Sequence, residues 1–187
     1  MRLDDFLTRL DSAKRRWQLA GDRLAGVVAA LDHEGRLFTV CGGEVLSRVN
    51  PEALGAQSTR ERYHNPGGDV LWPAPEGSAF GYEYATAAWR VPPGVTGARW
   101  LVSSSNSSGL VLAAELDLVN AKGVGLPVRF ERQVALRAEA TLTVDLKERI
   151  EFLGKRRLGA AECRLAPWSL CQFDWGPGSE VLIGARD

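Results

Sequence analysis

The chain has 187 residues, 45% of them hydrophobic and 25% charged, a composition typical of folded domains that excludes whole-chain disorder. Lys and Arg total 23, and Asp and Glu also total 23, so the zero net charge argues against nucleic-acid binding driven by charge. The length predicts a single domain, and no apolar run is long enough to span a membrane as a helix.

Cysteine usage and the N-terminus bear on the compartment. Cys41, Cys163 and Cys171 are too few and too scattered for a disulfide framework. The first residues contain acids and lack the apolar core of a signal peptide. These features predict a cytoplasmic protein.

Residues 1–24 carry apolar side chains at steps of three and four. They are Leu3, Phe6, Leu7, Leu10, Ala13, Trp17, Ala20 and Leu24. This spacing predicts an amphipathic helix over residues 1–24 that packs on the rest of the domain, with Gly21 as a stop signal. A helix that mediates dimerisation or docks on a partner is the alternative.

After this helix the pattern changes to strands and turns. Residues 27–31 and 37–41 flank a polar turn at 32–35 and predict a hairpin, which a short strand at 45–49 follows. Residues 50–99 are rich in loops, and residues 100–103 and 110–119 predict a second hairpin.

The clearest pattern is apolar–polar alternation with a period of two over residues 128–146, which is typical of a half-buried strand. A strand of this length needs a bend or bulge, which we place near residues 138–140. We expect Phe130, Val134, Leu136, Leu142 and Val144 in the core. Further strands are predicted at 149–158, 165–173 and 181–183. The predicted fold class is mainly β: an antiparallel β-sandwich over residues 25–187 with one N-terminal α-helix.

Familiar catalytic and metal-binding signatures are missing from the sequence. It contains no phosphate-binding loop, no G-x-S-x-G, no H-E-x-x-H and no C-x-x-C, and His33 and His64 are its only histidines. We therefore predict no metal and no cofactor.

Residues 62–76 concentrate polar and aromatic side chains around Gly67 and Gly68. His64, Asn65, Asp69, Trp72 and Glu76 provide planar polar groups beside an indole, which suit sugar recognition because hydroxyls form paired hydrogen bonds and sugar C–H faces lie on aromatic rings. A structured loop in which Trp72 fills the core is an equally good interpretation.

Arg132 is a charge on the apolar face of the long predicted strand. A buried guanidinium must be paired, either with a carboxylate of the protein or with a polar ligand. The salt bridge is the commoner answer, and the ligand stays open.

The segment HNPGGDVLWPAPE at residues 64–76 resembles the GG-D-x-L/F-W-x-x-P-E segment of galactose mutarotase-like proteins, nearest an uncharacterised bacterial branch. The stretches WRVPP at 89–93, FERQVAL at 130–136 and APWSLCQF at 166–173 follow in the order of that branch. The resemblance covers about residues 25–187 and implies a shortened β-supersandwich with a sugar-binding cleft on one sheet face.

The resemblance also implies roles for individual residues. His64 is similar to the histidine that positions the substrate, and Glu180 is the one late candidate for the base that takes the anomeric proton. The H-P-Y-F-like motif of the acid histidine has no counterpart, because residues 167–170 read PWSL. The substrate-binding candidates are Asn65, Asp69, Trp72, Glu76, Arg132, Trp168 and Gln172.

These observations predict a carbohydrate-binding protein of galactose mutarotase-like fold that is non-catalytic or of unproven activity. The alternatives are a sugar epimerase or mutarotase-type isomerase using His64 and a carboxylate, and an assembly module without a ligand. The expected ligand is a small carbohydrate, with neither nucleic acid nor membrane as a partner. A homodimer is predicted, because a shortened sandwich leaves strand edges to be covered.

Overall fold

The computed structural model describes residues 1–59, 62–75, 78–80, 91–174 and 176–182. Its first element is helix α1 (Leu3–Ser12), which buries one apolar side and carries Asp4 and Asp5 in its first turn. The prediction of a helix over residues 1–24 is therefore wrong in its length. Lys14 adopts a left-handed backbone with φ of 54°, which ends the helix, and the following residues form strand β1 (Trp17–Gly21).

Strand β1 opens the first sheet. It is followed by β2 (Ala25–Ala30), β3 (Arg36–Cys41), β4 (Glu44–Val45), a short helix α2 (Pro51–Gly55), β5 (Asp69–Ala74) and, near the other end of the chain, β10 (Ala166–Cys171). Among the described residues the strand order is β1-β2-β3-β5-β10, with β4 paired to β3, and every pairing is antiparallel. The first predicted hairpin is confirmed as β2–β3.

The second sheet follows a short helix α3 (Pro93–Thr96). It comprises β6 (Leu101–Asn106), β7 (Gly109–Val119), β8 (Gly125–Ala138) and β9 (Leu142–Phe152), paired in that order. The alternating segment at 128–146 is thus divided at residues 139–141 into two antiparallel strands, close to the predicted bend. Residues 149–152 belong to β9, and residues 181–182 are not in a strand.

The core has two layers. Between the sheets, Leu37 packs with Leu112 and Phe130, whereas α1 covers the opposite face of the first sheet with Phe6 against Phe38. The expected core residues Phe130, Val134 and Leu136 are buried, but Leu142 and Val144 on the outermost strand β9 are only half-buried. The fold is mainly β, with two antiparallel sheets packed as a sandwich and an N-terminal helix, as the sequence predicts.

The outer strands of the two sheets approach each other at both sides of the sandwich. On one side β1 lies beside β6, where the Ser105 hydroxyl donates to the carbonyl of Leu19 at 3.3 Å. On the other side β9 lies beside β10, where Ser169 is close enough to Glu148 to act on the pKa of its carboxyl group. In the part of the chain that the structure covers, no helix is long and apolar enough to cross a membrane.

Candidate functional site

The turn between β2 and β3 is folded into the protein instead of facing solvent. His33 is 8% exposed and Glu34 is 6% exposed. Glu34 has a φ of 60°, a left-handed conformation that is uncommon outside glycine and concentrates at functional sites. Gly35 follows with a φ of 62°, and any side chain there would overlap the ring of Trp100. The local backbone therefore presents two chemically active side chains to the interior.

The Glu34 carboxylate is held by three donors on one oxygen. Its Oε2 accepts from the Trp72 indole at 3.0 Å, from the Tyr63 hydroxyl at 3.2 Å and from Arg36 at 3.2 Å. Arg36 is completely buried, contacts the Tyr63 hydroxyl as well, and donates to the carbonyl of Gly67 at 2.6 Å. No hydrogen bond among the described residues uses the second oxygen, Oε1.

Glu34 and Arg36 were not among the site residues predicted from the sequence. The sequence could have predicted that Arg36 is buried, because it shares an apolar strand face with Phe38 and Val40. Arg132 was found by the same reasoning in β8. No sequence pattern indicated that Glu34 is buried, since acidic residues are common in hairpin turns.

A small polar cavity of about 60 Å³, here called the His64 cavity, adjoins this turn. Its lining includes Arg15, Asp32, His33, Glu34, Ser58 and His64. Both histidines of the chain and two carboxylates therefore share one space. The backbone N–H of His64 donates to the Ser58 hydroxyl at 3.0 Å, which ties two segments of the cavity wall together.

The protonation states at the cavity follow from its surroundings. Burial, reinforced by the positive charge of Arg15, lowers the pKa of His33 to about 4, so its ring is neutral at pH 7. Its Nε2 lies 3.1 Å from the carbonyl of Leu54 and therefore carries the proton, which leaves Nδ1 as an acceptor. Partial burial raises the pKa of Asp32, but hydrogen bonds from Arg16 outweigh it, and the net pKa lies below its usual value.

A second charged cluster lies between the two sheets, around Arg132. Its Nε donates to Glu148 at 2.7 Å, one terminal nitrogen donates to the carbonyls of Gly35 (3.1 Å) and Asp69 (2.9 Å), and the other pairs with the carboxylates of Asp69 and Glu148. The guanidinium is completely buried and makes four hydrogen bonds, in addition to an ion pair between its second terminal nitrogen and Glu148. The salt bridge is thus the interpretation that the structure supports.

The groups around Arg132 show the effect of burial on their pKa values. Burial raises the pKa of Glu148, and the neighbouring Asp69 adds to this, while Arg132 and Ser169 oppose it. Burial and the nearby Asp69 also raise the pKa of Cys171 to about 12, which keeps the thiol protonated and unreactive at neutral pH.

The predicted site residues do not all meet at one place. His64 lines the cavity. Trp72 is connected to the cavity by its hydrogen bond to Glu34, and its ring contacts Trp168 edge-on with 6.1 Å between the ring centroids. Asp69 and Arg132 are between the sheets. The Asn65 side chain accepts from the N–H of Gly67 within its own turn, and the Gln172 carbonyl accepts from Arg48.

Two predicted residues stand apart from the rest. Glu180 is exposed in an irregular segment and is not part of the cavity lining. Glu76 lies outside the described residues. Over the ranges that the structure describes, no group of three or more His, Cys, Asp or Glu has an arrangement suited to a metal ion.

Fold and site together define a two-sheet antiparallel β protein with a small polar cavity at the buried end of its first hairpin. Residues 5–157 match a family of unknown function, DUF6786, and the chain belongs to that family. No curated protein and no solved structure matches the chain.

Proposed function

We propose that this protein binds the hydroxyl groups of a carbohydrate at the His64 cavity and does not transform it. The observation that carries the proposal is the joint presence of His33, His64, Asp32 and Glu34 in the lining of one cavity. The resemblance of residues 64–76 to galactose mutarotase-like proteins supports the same ligand class.

The lining suits hydroxyl groups, which both donate and accept. Asp32 is an ionised acceptor and His33 presents an acceptor Nδ1. The Glu34 side chain is held in place by hydrogen bonds to one of its oxygens, so it does not lose conformational freedom when a ligand binds. Preorganised acceptors of this kind favour binding because little entropy is lost on ligand contact.

The cavity volume limits how much of a sugar enters. At about 60 Å³ the cavity is several times smaller than the roughly 300–1,000 Å³ pockets that enclose whole small ligands. A sugar ring therefore lies across the mouth of the cavity with one edge inserted.

The test is calorimetric titration with a panel of monosaccharides, beside thermal melts. A ligand at 100 times its Kd adds about 2.7 kcal/mol of stability. His64→Ala is expected to weaken binding at least tenfold with little change in Tm. Glu139→Ala, in the exposed turn between β8 and β9, is the control and should bind as the unmutated protein does. Absence of saturable binding by every sugar at millimolar concentration would overturn the proposal.

An isomerase is the second candidate, favoured by one observation. His64 and two carboxylates line the same cavity, and an imidazole with a carboxylate is the pair that acid–base opening of a sugar ring needs. Polarimetry on freshly dissolved aldoses tests it. Acceleration of mutarotation that is lost in His64→Ala would establish the activity, and no acceleration would exclude it for those sugars.

We also propose a reducing, cytoplasmic location. Cys41, Cys163 and Cys171 are all free thiols, and Cys41 is exposed. Exposed thiols persist in reducing compartments and become oxidised outside them. Fractionation of cells expressing the full chain tests this: recovery in the cytoplasmic fraction supports it, and recovery outside the cytoplasm contradicts it.

A further inference from the structure

The charges around the His64 cavity do not cancel. Arg16 pairs with Asp32 at 2.5 Å, and Arg36 pairs with Glu34 at 3.2 Å. Each carboxylate of the cavity is thus neutralised by its own arginine. Arg15 also lines the cavity, and no ion pair joins it to any carboxylate among the described residues. One positive charge is left over at this site.

Arg15 also has a donor that nothing accepts. One terminal nitrogen donates to the carbonyl of Ala56 at 3.1 Å, but its Nε is buried and has no hydrogen-bond partner among the described residues. A buried donor without a partner costs about 1–3 kcal/mol. Because Arg15 lines the cavity, a ligand that brings an acceptor to its guanidinium would remove that cost, and the site would favour such ligands.

The acceptor that fits is a carboxylate. A guanidinium presents parallel N–H groups whose spacing matches the two oxygens of a carboxylate, and a charged acceptor forms the stronger hydrogen bond. His33 is neutral and adds no second cation. Hydroxyl groups beside the carboxylate would then meet Asp32 and the second oxygen of Glu34, which are acceptors.

We propose that the carbohydrate bound at the His64 cavity is an acidic sugar whose carboxylate pairs with Arg15. This inference rests on the proposed function and narrows its ligand from carbohydrates in general to uronic or aldonic acids. Arg15 acts here as a specificity-determining residue, because it distinguishes an acidic sugar from its neutral counterpart.

The experiment is calorimetric titration with matched pairs, glucose with glucuronate and galactose with galacturonate, against the full chain. At least one acid should bind ten times more tightly than its neutral partner. Arg15→Gln should remove this preference, because it should weaken binding of the acid by a larger factor than binding of the neutral sugar. Arg15→Lys, which keeps the charge but loses the paired N–H groups, should retain part of it.

Arg9→Gln is the matched control, because Arg9 is an exposed arginine on the adjacent helix α1 and should leave the preference intact. Melting curves verify that each variant is folded. If Arg15→Gln unfolds, Arg15→Lys decides, since an undiminished preference in that folded variant would contradict the paired contact.

The remaining outcomes separate the two proposals. Neutral and acidic sugars binding equally overturns the acidic ligand, and a preference that survives in Arg15→Gln overturns its pairing with Arg15; both outcomes leave carbohydrate binding in place. Acetate or phosphate binding as tightly as the uronate through Arg15 would make this a general anion site and refute the sugar. Binding by no compound overturns both.

Discussion

Two arginines that are inaccessible to solvent, Arg36 and Arg132, form ion pairs with carboxylates in the interior. A buried ion pair adds little net stability relative to apolar residues, because removing both charges from water is costly. Losing only one partner is different, since the other charge then stays buried without compensation. Both clusters therefore make the fold sensitive to single substitutions.

Arg132→Met is expected to lower the free energy of unfolding by about 3–5 kcal/mol, because Asp69 and Glu148 would remain buried without their partner. Urea denaturation measures the loss. The exposed pair of Arg137 and Asp145 supplies the control, and Arg137→Met should cost no more than about 1 kcal/mol. Adding Asp69→Asn and Glu148→Gln to Arg132→Met should recover part of the stability. Equal losses for Arg132→Met and Arg137→Met would contradict this account.

The pKa of His33 predicts acid sensitivity. Its folded pKa of about 4 lies below the unfolded value of 6.5, so between these values the unfolded chain binds more protons and stability falls as the pH is lowered. Below about pH 4 this contribution levels off. Thermal melts from pH 7.5 to pH 4 should show a weaker pH dependence for His33→Gln, whose amide can still donate to the carbonyl of Leu54. Parallel curves for the two proteins would refute the assignment.

At the scale of elements, β5 connects the two charged clusters. Asp69, its first residue, pairs with Arg132 between the sheets, and Trp72, three residues later, donates a hydrogen bond to Glu34. The approach of β5 to its neighbours depends on the two glycines before it. Gly67 has a φ of 90°, and a Cβ there would overlap the carbonyl of Arg48.

Gly67→Ala should therefore destabilise the protein by more than about 2 kcal/mol, because backbone strain and a clash with main-chain atoms add together. Differential scanning calorimetry measures the change. Gly42→Ala is the control: its φ is 61°, but nothing lies within 4 Å of the added Cβ. Only the strain remains there, at about 1–2 kcal/mol. A Tm for Gly67→Ala at or above that of Gly42→Ala would contradict the expected clash.

At the scale of the whole molecule, the homodimer predicted from the sequence stays a prediction. Exposed apolar side chains such as Leu101 and Phe173 offer surface for self-association. The edge strand β9 instead carries exposed charges such as Lys147 and Arg149, which disfavour edge-to-edge pairing. We therefore expect a dimer that associates through a face and not through β9.

Sedimentation velocity at micromolar concentration tests the dimer. It should give a species of about twice the 20.3 kDa chain mass. Leu101→Glu, which places a charge on an exposed apolar position, should shift the population toward monomer if that face is used. A single 20.3 kDa species for the unmutated chain would show that side-chain contacts between β1 and β6 and between β9 and β10 suffice to close the sandwich.

The sequence by itself determined the fold class, because a strand buried on one face requires alternation and residues 128–146 alternate almost throughout, with Arg132 as an exception. It also identified Arg132 as a buried charge, since that residue interrupts an apolar face. The sequence-based prediction was wrong at Trp17, which was expected in the N-terminal helix. The helical spacing of apolar residues continues past Lys14, whose left-handed backbone ends α1. Spacing of apolar residues does not report a backbone reversal that a later strand stabilises by pairing.

Only the tertiary structure decided which polar groups meet. His64 and Asp69 are five residues apart in sequence yet belong to different clusters, because the glycine turn and the pleat of β5 separate them. Arg15, Glu34 and His64 are distant in sequence and share one cavity, because the β2–β3 turn is folded inward beneath the end of α1 and the loop after α2. Contacts between segments this far apart depend on chain topology, which no local pattern encodes.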